Sequence, residues 1–263
     1  TESNLEGRGD ALQGYLADDL VPYLSLMDFD CTIHPNPRSD AGPILVARRQ
    51  EEDSLPTVMT YGHGDVVAGY GGQWINDMDP WRISRVGHRW YGRGTADNKG
   101  QHTINLAALK TVLDVRGRLG FNIIVLIEMG EERGSPGLKE FCATNKHLFD
   151  ADVFIASDGP RLHPDKPTIF MGSRGVFNFN MRLDVHEGGH HSGNWGGLLT
   201  NPGVVMAHAL ASMIDANGKI LVEGWRSTEI TGSVRAAIAK LEVGGGENAP
   251  MMNPNWGEPD MTP

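Results

Sequence analysis

Four short segments of this chain, 43–48 (PILVAR), 56–61 (PTVMTY), 121–127 (FNIIVLI) and 152–156 (DVFIA), are mostly apolar on both alternating faces. That pattern suits strands covered by protein above and below. Helical stretches lie between them. Residues 11–26 place Leu12, Leu16, Leu20 and Leu24 at intervals of four, the repeat of one helix face, with Pro22 set to kink or interrupt it. Residues 101–116 put Ile104, Ala108, Val112 and Val115 on one stripe. Ser135-Pro136 reads as the N-cap and first residue of a further helix with Leu138, Phe141, Cys142 and Leu148 facing inward. Strand, helix, strand, helix, strand implies an α/β sheet with crossovers.

The texture changes near residue 175. An alternating segment, 176–185 (VFNFNMRLDV), reads as a strand, 187–197 as a glycine-rich loop, 203–214 as an apolar helix and 219–222 as another strand. These form a second, smaller α+β unit. The domain reading is therefore 1–175, then 176–242, then a connecting tail 243–263 with glycines, prolines and no periodicity.

Charge narrows the function classes. Thirty-three acidic against 23 basic side chains leave a formal charge of −10, and no Lys/Arg cluster interrupts that sign. No nucleic-acid partner and no anionic membrane surface is expected. Apolar runs are strand-sized, far below the roughly 20 residues of a membrane-spanning helix. Cys31 and Cys142 are too few and too far apart for a disulfide framework and have the character of small core residues in a reducing compartment, so cytoplasm is the expected location. The chain opens on Thr1 without a basic-then-apolar leader, which suggests processing or a piece of something longer.

The polar clusters share an address. His63-Gly64-Asp65 follows 56–61, Asp97 follows 89–91 (RWY), Glu131-Glu132 follows 121–127, and Asp158 follows 152–156. In open α/β sheets the carboxyl ends of strands form the ligand crevice, so distant residues converge there. Taken singly, each cluster has an ordinary reading as a hydrogen-bonded histidine, solvated surface charge or a turn. Taken together, an imidazole with several carboxylates is a zinc-type ligand set, and a carboxylate shared by two ions holds them roughly 3.5–4 Å apart. Positions i and i+2 of an extended segment point the same way, so Asp65 can hold the His63 ring in one tautomer. Adjacent Glu131 and Glu132 project differently, which lets one bind metal while the other stays free as a base.

Three other patterns carry less. His186-Glu187-Gly188-Gly189-His190 satisfies H-E-x-x-H, but that motif works on a helix, and two internal glycines oppose one. Residues 189–193 (GHHSG) resemble a nucleophile elbow but lack the glycine two places before the serine. Residues 92–100 (GRGTADNKG) lack the spacing of a phosphate-binding loop.

The segments GHGDVV (62–67), YGRGTADNKGQ (91–101), EMGEERGSPG (128–137), SDGP (157–160), GSRG (172–175) and HHSGNWGG (190–197) closely resemble the co-catalytic zinc exopeptidases. That family includes carnosinase-type dipeptidases, aminoacylase, acetylornithine deacetylase, succinyl-diaminopimelate desuccinylase and carboxypeptidase G. The match runs in order from about 57 to 225. The resemblance implies two Zn2+ ions, with Mn2+ or Co2+ as substitutes. It implies His63 and Asp158 as ligands of the first metal, Asp97 as the bridging carboxylate and Glu132 as a ligand of the second. Glu131 matches the general base that activates the attacking water, and Asp65 the residue that clamps the His63 ring. His191 is similar to a lid-domain histidine that reaches the partner subunit's active site and steadies the oxyanion. Arg174 lies in a stretch near the hinge.

The implied fold is a zinc-exopeptidase-like catalytic α/β domain with a covered mixed sheet, interrupted by a smaller lid of antiparallel strands and two helices through which many members form homodimers. Asn98 departs from the second Asp of many members. The family's last histidine ligand of the second metal would lie beyond this chain, which has no histidine after His208. Asp158 resembles the dipeptidases, since deacylases and carboxypeptidases of the family typically have Glu there. The expected activity of the full-length parent is hydrolysis of dipeptides or short peptides. The alternatives are N-acyl amino-acid amidohydrolysis, with an acylated amino acid as substrate, or a non-catalytic dimerisation module. The chain by itself is expected to be inactive.

Overall fold

The computed structural model describes residues 9–159, 165, 167–170, 172–173, 175–226, 230–240, 251 and 253–257. Two units, Thr1–Pro160 and Arg161–Pro263, are each described by themselves. Arg174, Pro160 and most of the 243–263 tail lie outside the described residues.

The first unit begins with helix α1 (Gly9–Gly14), a π-helical turn (Tyr15–Leu20) and helix α2 (Val21–Ser25), running directly into one another. Leu12, Leu16, Leu20 and Leu24 are all buried. A strict four-residue repeat drifts by about 40° per step on an α-helix, and the wider π turn takes up part of that drift. Pro22 stands in the first turn of α2, directly after the π turn, and does not break the path.

The sheet is built from β1 (Asp30–His34), β2 (Ile44–Arg49), β3 (Thr57–His63), β6 (Asn122–Glu128) and β7 (Val153–Ala156). They run in the order β1-β2-β6-β3-β7. Pairing is antiparallel across β1–β2–β6 and parallel across β6–β3–β7, a mixed sheet. A short hairpin, β4 (Ser84–Val86) and β5 (Arg89–Tyr91), stands apart from it.

Strand alternation explains the two cores. Ile123, Val125 and Ile127 face one side with Leu45, Ala47 and the α1–α2 leucines, whereas Ile124 and Leu126 face the other with Ile44, Val46 and Met59. Helix α3 (Lys99–Arg116) contributes Leu106 to the first core, and α4 (Leu138–Thr144) contributes Phe141 to the second. The covered α/β sheet expected from the sequence is present.

Two helices differ in detail from their sequence reading. On α3 the inward residues are His102 and Leu106, with Leu109, Val112 and Leu113 against the core, whereas Ile104 and Val115 are exposed. The helix carries apolar residues on more than one stripe, and the sheet chooses the one with the leucines. Helix α4 begins at Leu138 after Gly137, whose positive φ of 83° turns the chain in. Ser135 is therefore not its cap. Edge strand β7 leaves Val153, Phe154 and Ile155 exposed.

In the second unit, α5 (Ser192–Trp195), α6 (Pro202–Met213) and α7 (Gly232–Ile238) are the α-helices among the described residues, with a 3₁₀ turn at Glu223–Trp225. Asn201 caps α6, its Oδ1 accepting from Val204 N at 3.2 Å. Residues 176–185 do not form the expected strand, and 219–222 supplies only the isolated bridge Ile214–Ile220. An alternating pattern makes a strand only when a neighbour completes its ladder, and among the described residues none pairs with 176–185. Phe177, Phe179 and Trp225 instead stack on one another at 5.3–5.4 Å. Residues 186–190 bend and are not helical, so the H-E-x-x-H pattern lacks the geometry a metal site would need. Among the described residues no helix is long and apolar enough to cross a membrane, and both cysteines are free.

Candidate metal centre

Parallel strand β3 ends at His63, and β6 and β7 lead into Glu131-Glu132 and Asp158 at the same end of the sheet. Asp97 enters from the loop that opens α3. The approach is close: a Cβ on Gly62 would come within 2.8 Å of Asn98 Oδ1 and 2.9 Å of His102 Cβ, so only glycine fits there.

The His63 side chain is fully buried. Its Nδ1 lies 3.1 Å from the Asp65 carbonyl and 3.3 Å from Asp65 Oδ1. Its Nε2 lies 2.9 Å from Asp97 Oδ1, 3.7 Å from Asp158 Oδ1 and 3.7 Å from Glu131 Oε2. One ligand atom each from His63, Asp97 and Asp158 falls within 4.8 Å of the others. The three residues expected to converge do so.

Asp65 does more than the sequence suggests. Besides facing the imidazole, its Oδ1 accepts from the Glu131 N–H at 3.1 Å and its Oδ2 from the Glu132 N–H at 3.2 Å. One buried carboxylate thus orients the histidine and ties down the 3₁₀ turn Glu131–Arg133. Glu132 Oε1 in turn accepts from the Val67 N–H at 3.3 Å.

The protonation states follow from these contacts. Burial alone would lower the pKa of His63, but the carboxylates of Asp158 and Asp65 outweigh it and hold the imidazole up at about 11. With an acceptor at each nitrogen, the ring carries both protons. Asp158 is held below its ordinary value, first by His63. Glu131 is raised by burial and, against the pull of His63, by Asp158, Glu132 and Asp65. Glu132 is raised by burial and then by Asp97.

Carboxylates surrounding one imidazole from several elements make a site short of positive charge. A divalent cation in place of the Nε2 proton fits this donor set of one nitrogen and hard oxygens. A measurable consequence is proton release. At about pH 8 the metal-free ring is protonated, so uptake of one metal ion should expel about one proton from His63, and the release should fade as pH approaches 11 and the ring arrives already neutral. Titration calorimetry in buffers of differing ionisation enthalpy measures it. Uptake with no proton released at pH 8 would show that the ring is already neutral before the metal arrives, against the raised pKa its carboxylate neighbours impose.

Sequence reasoning missed several partners. Glu128, at the end of β6, is 2% exposed, and its Oε1 accepts from Tyr61 and Ser135 hydroxyls, each at 2.7 Å. Burial raises its pKa. A carboxylate closing a fully covered strand was the available signal. Asn98, His102 and Tyr15 form a second group, in which Asn98 and His102 are four apart at the start of α3 and Tyr15 joins from 87 positions away. His191 belongs to the second unit, where it is exposed and caps α5, its Nδ1 accepting from Gly193 N at 3.1 Å.

Comparison with known proteins agrees with this architecture. Residues 59–259 match peptidase family M20/M25/M40. A cysteinylglycine-S-conjugate dipeptidase of Corynebacterium striatum is 33% identical over 207 residues, 78% of this chain and 44% of that protein. A beta-Ala-His dipeptidase of Mus musculus is 35% identical over 185 residues, 69% of this chain and 37% of that one. The chain spans less than half the length of these relatives. Among solved structures, human carnosine dipeptidase 1 superposes with a TM-score of 0.69 at 24% identity, over 92% of this chain and 53% of that one. An M20 family metallo-carboxypeptidase from Sulfolobus solfataricus gives 0.71 at 24% identity, over 89% and 52%. With the family's sequence match covering most of the chain and the same fold in its solved members, the chain belongs to peptidase family M20/M25/M40.

Proposed function

We propose that this chain carries the metal-binding part of a dipeptidase that hydrolyses the peptide bond of dipeptides or short peptides with a metal-activated water. The observation that carries the proposal is the placement of Asp97, Asp158 and Glu131 oxygens around one buried imidazole nitrogen. The relatives named as dipeptidases point to the substrate class.

Two divalent cations, zinc in this reading with manganese or cobalt as substitutes, would supply Lewis acidity to the scissile carbonyl and lower the pKa of the attacking water. His63 and Asp158 would hold the first ion, Asp97 would reach both, and Glu132 would serve the second. Asp65 keeps the imidazole in the tautomer that offers Nε2. Glu131 is the base: its Oε2 borders the same space, its main chain is pinned by Asp65, and its raised pKa lets it take a proton from water and return it to the leaving amine. His191 would steady the oxyanion, from the partner copy in a homodimer formed through the second unit. Free cysteines suit a reducing compartment, and the cytoplasm is the proposed location.

The complete protein carrying this sequence should cleave unacylated dipeptides at least about tenfold more efficiently, in kcat/KM, than N-acetylated amino acids, since a hydrogen bond to a charged amine is worth roughly 1.5–3 kcal/mol. A preference for the acylated amino acids would replace the dipeptidase reading with a deacylase.

A further inference from the structure

Beside the metal centre lies a hydrogen-bonded chain that joins the N-terminal helix to it. Tyr15, in the π turn, has its hydroxyl 2.6 Å from His102 Nε2, across 87 positions of sequence. His102, in the first turn of α3, is 2% exposed and has Nδ1 3.0 Å from Asn98 Oδ1. Asn98 is fully buried.

Chemistry fixes the direction of each bond. The Ser157 carbonyl can only accept, so the Asn98 atom 2.6 Å from it is the amide Nδ2. The His63 main-chain N–H can only donate, so the Asn98 atom 3.2 Å from it is Oδ1. Oδ1 must also accept from His102, which places the proton of that ring on Nδ1. Burial, then the charges of Lys99 and His63, lowers the pKa of His102 to about 4, so the ring is neutral and Nε2 is bare. Burial and the nearby Asp19 push the Tyr15 hydroxyl up, so it stays protonated and donates to Nε2. Asn98 Nδ2 gives its other hydrogen to Asp158 Oδ1 at 3.1 Å. Asn98 therefore grips the backbone of His63 and the carboxylate of Asp158, and follows Asp97 directly in the chain.

We propose that Tyr15 and His102 are positioning residues for the metal centre: the Tyr15 hydroxyl holds His102 in its Nδ1–H form, His102 locks Asn98, and Asn98 holds Asp158 and the His63 main chain in the ligating arrangement. This rests on the reading of His63, Asp97 and Asp158 as ligands, and neither Tyr15 nor His102 touches the ion.

The test uses the 263-residue chain and Co2+ alone, with affinity read from visible absorption under chelator competition and folding from far-UV circular dichroism and melting. His102→Leu should weaken Co2+ binding roughly 10- to 100-fold, the range for removing an outer-shell partner. His102→Asn, whose amide nitrogen takes the place of Nδ1, should restore it to within about threefold of the parent, and Tyr15→Phe should fall between. Imidazole nitrogen shifts in the metal-free chain should show the Nδ1–H form of His102, and a mixture in Tyr15→Phe.

A folded His102→Leu chain that binds Co2+ like the parent overturns the proposal. So does His102→Asn as weak as His102→Leu, since volume alone would then be the cause. Should His102→Leu fail to fold, the tautomer and Tyr15→Phe decide: an Nε2–H ring in the parent, or unchanged affinity in Tyr15→Phe, overturns it. Parent binding that His63→Ala does not weaken would defeat the metal reading itself. Parent binding that depends on His63 but not on His102 or Tyr15 defeats only the positioning role.

Discussion

Glu131→Gln in the complete protein should lower kcat for dipeptide hydrolysis by at least about 100-fold, and up to about 10⁴-fold, while metal content stays near that of the parent. The side chain has the geometry of a base: Oε2 stands 3.7 Å from His63 Nε2, beside the proposed ligands, and its pKa is raised by burial and by carboxylate neighbours. Gln preserves the shape and removes the proton acceptor. Its neighbour should behave differently. Glu132→Gln removes a proposed ligand and should lower both metal content and rate. Equal metal loss in the two variants would refute the division of roles, and unchanged rates in both would return the pair to surface charge. Metal analysis beside steady-state kinetics on the same preparations separates these outcomes.

Asp65→Ala should strongly destabilise the first unit. Asp65 is fully buried, accepts from the main-chain N–H groups of Glu131 and Glu132, and faces His63 Nδ1. Alanine leaves those donors unpaired, each costing about 1–3 kcal/mol, so a total loss near 3–5 kcal/mol is expected. For a unit of this size that is a fall in Tm on the order of 10 °C. Metal affinity should drop as well, because the imidazole loses its orienting partner. A Tm within about 2 °C of the parent by calorimetry would show that water satisfies those donors and that Asp65 organises nothing.

These expectations rest partly on what the sequence made legible. The runs at 56–61 and 121–127 announced covered strands because both faces are apolar, and His63 with Asp65 announced a clamp because i and i+2 of extended chain point the same way. Polar residues just after strands were enough to place Glu131 and Asp158 near His63, since parallel strands β3, β6 and β7 bring their carboxyl ends together, whereas Asp97 follows the separate antiparallel hairpin and reaches the site from the loop before α3. Strand β1 was not read, because DCTIH mixes charge, hydroxyl and apolar residues at an edge that needs no continuous apolar run. The buried stripe of α3 was misassigned because periodicity admits more than one apolar face and only packing on the sheet selects between them. Residues 176–185 alternate like a strand yet have no pairing partner among the described residues, and alternation says nothing about partners. The Tyr15–His102 bond is silent in sequence, since 87 positions separate the two residues, and the four-residue spacing of Asn98 and His102 at the start of α3 gives no sign of what either one holds.

His63, Asp97 and Asp158 together should bind a divalent cation. The most direct measurement is X-ray absorption of the 263-residue chain loaded with one equivalent of Co2+, set beside His63→Ala and the Asp97→Ala/Asp158→Ala pair. One tightly held ion per chain is expected, since among the described residues only Asp97 and Glu132 are proposed for a second, with an imidazole nitrogen and several oxygens at about 2.0–2.2 Å. The imidazole signal should be lost in the first variant and tight binding in both. A parent spectrum without imidazole, or affinity unchanged in His63→Ala, would contradict it.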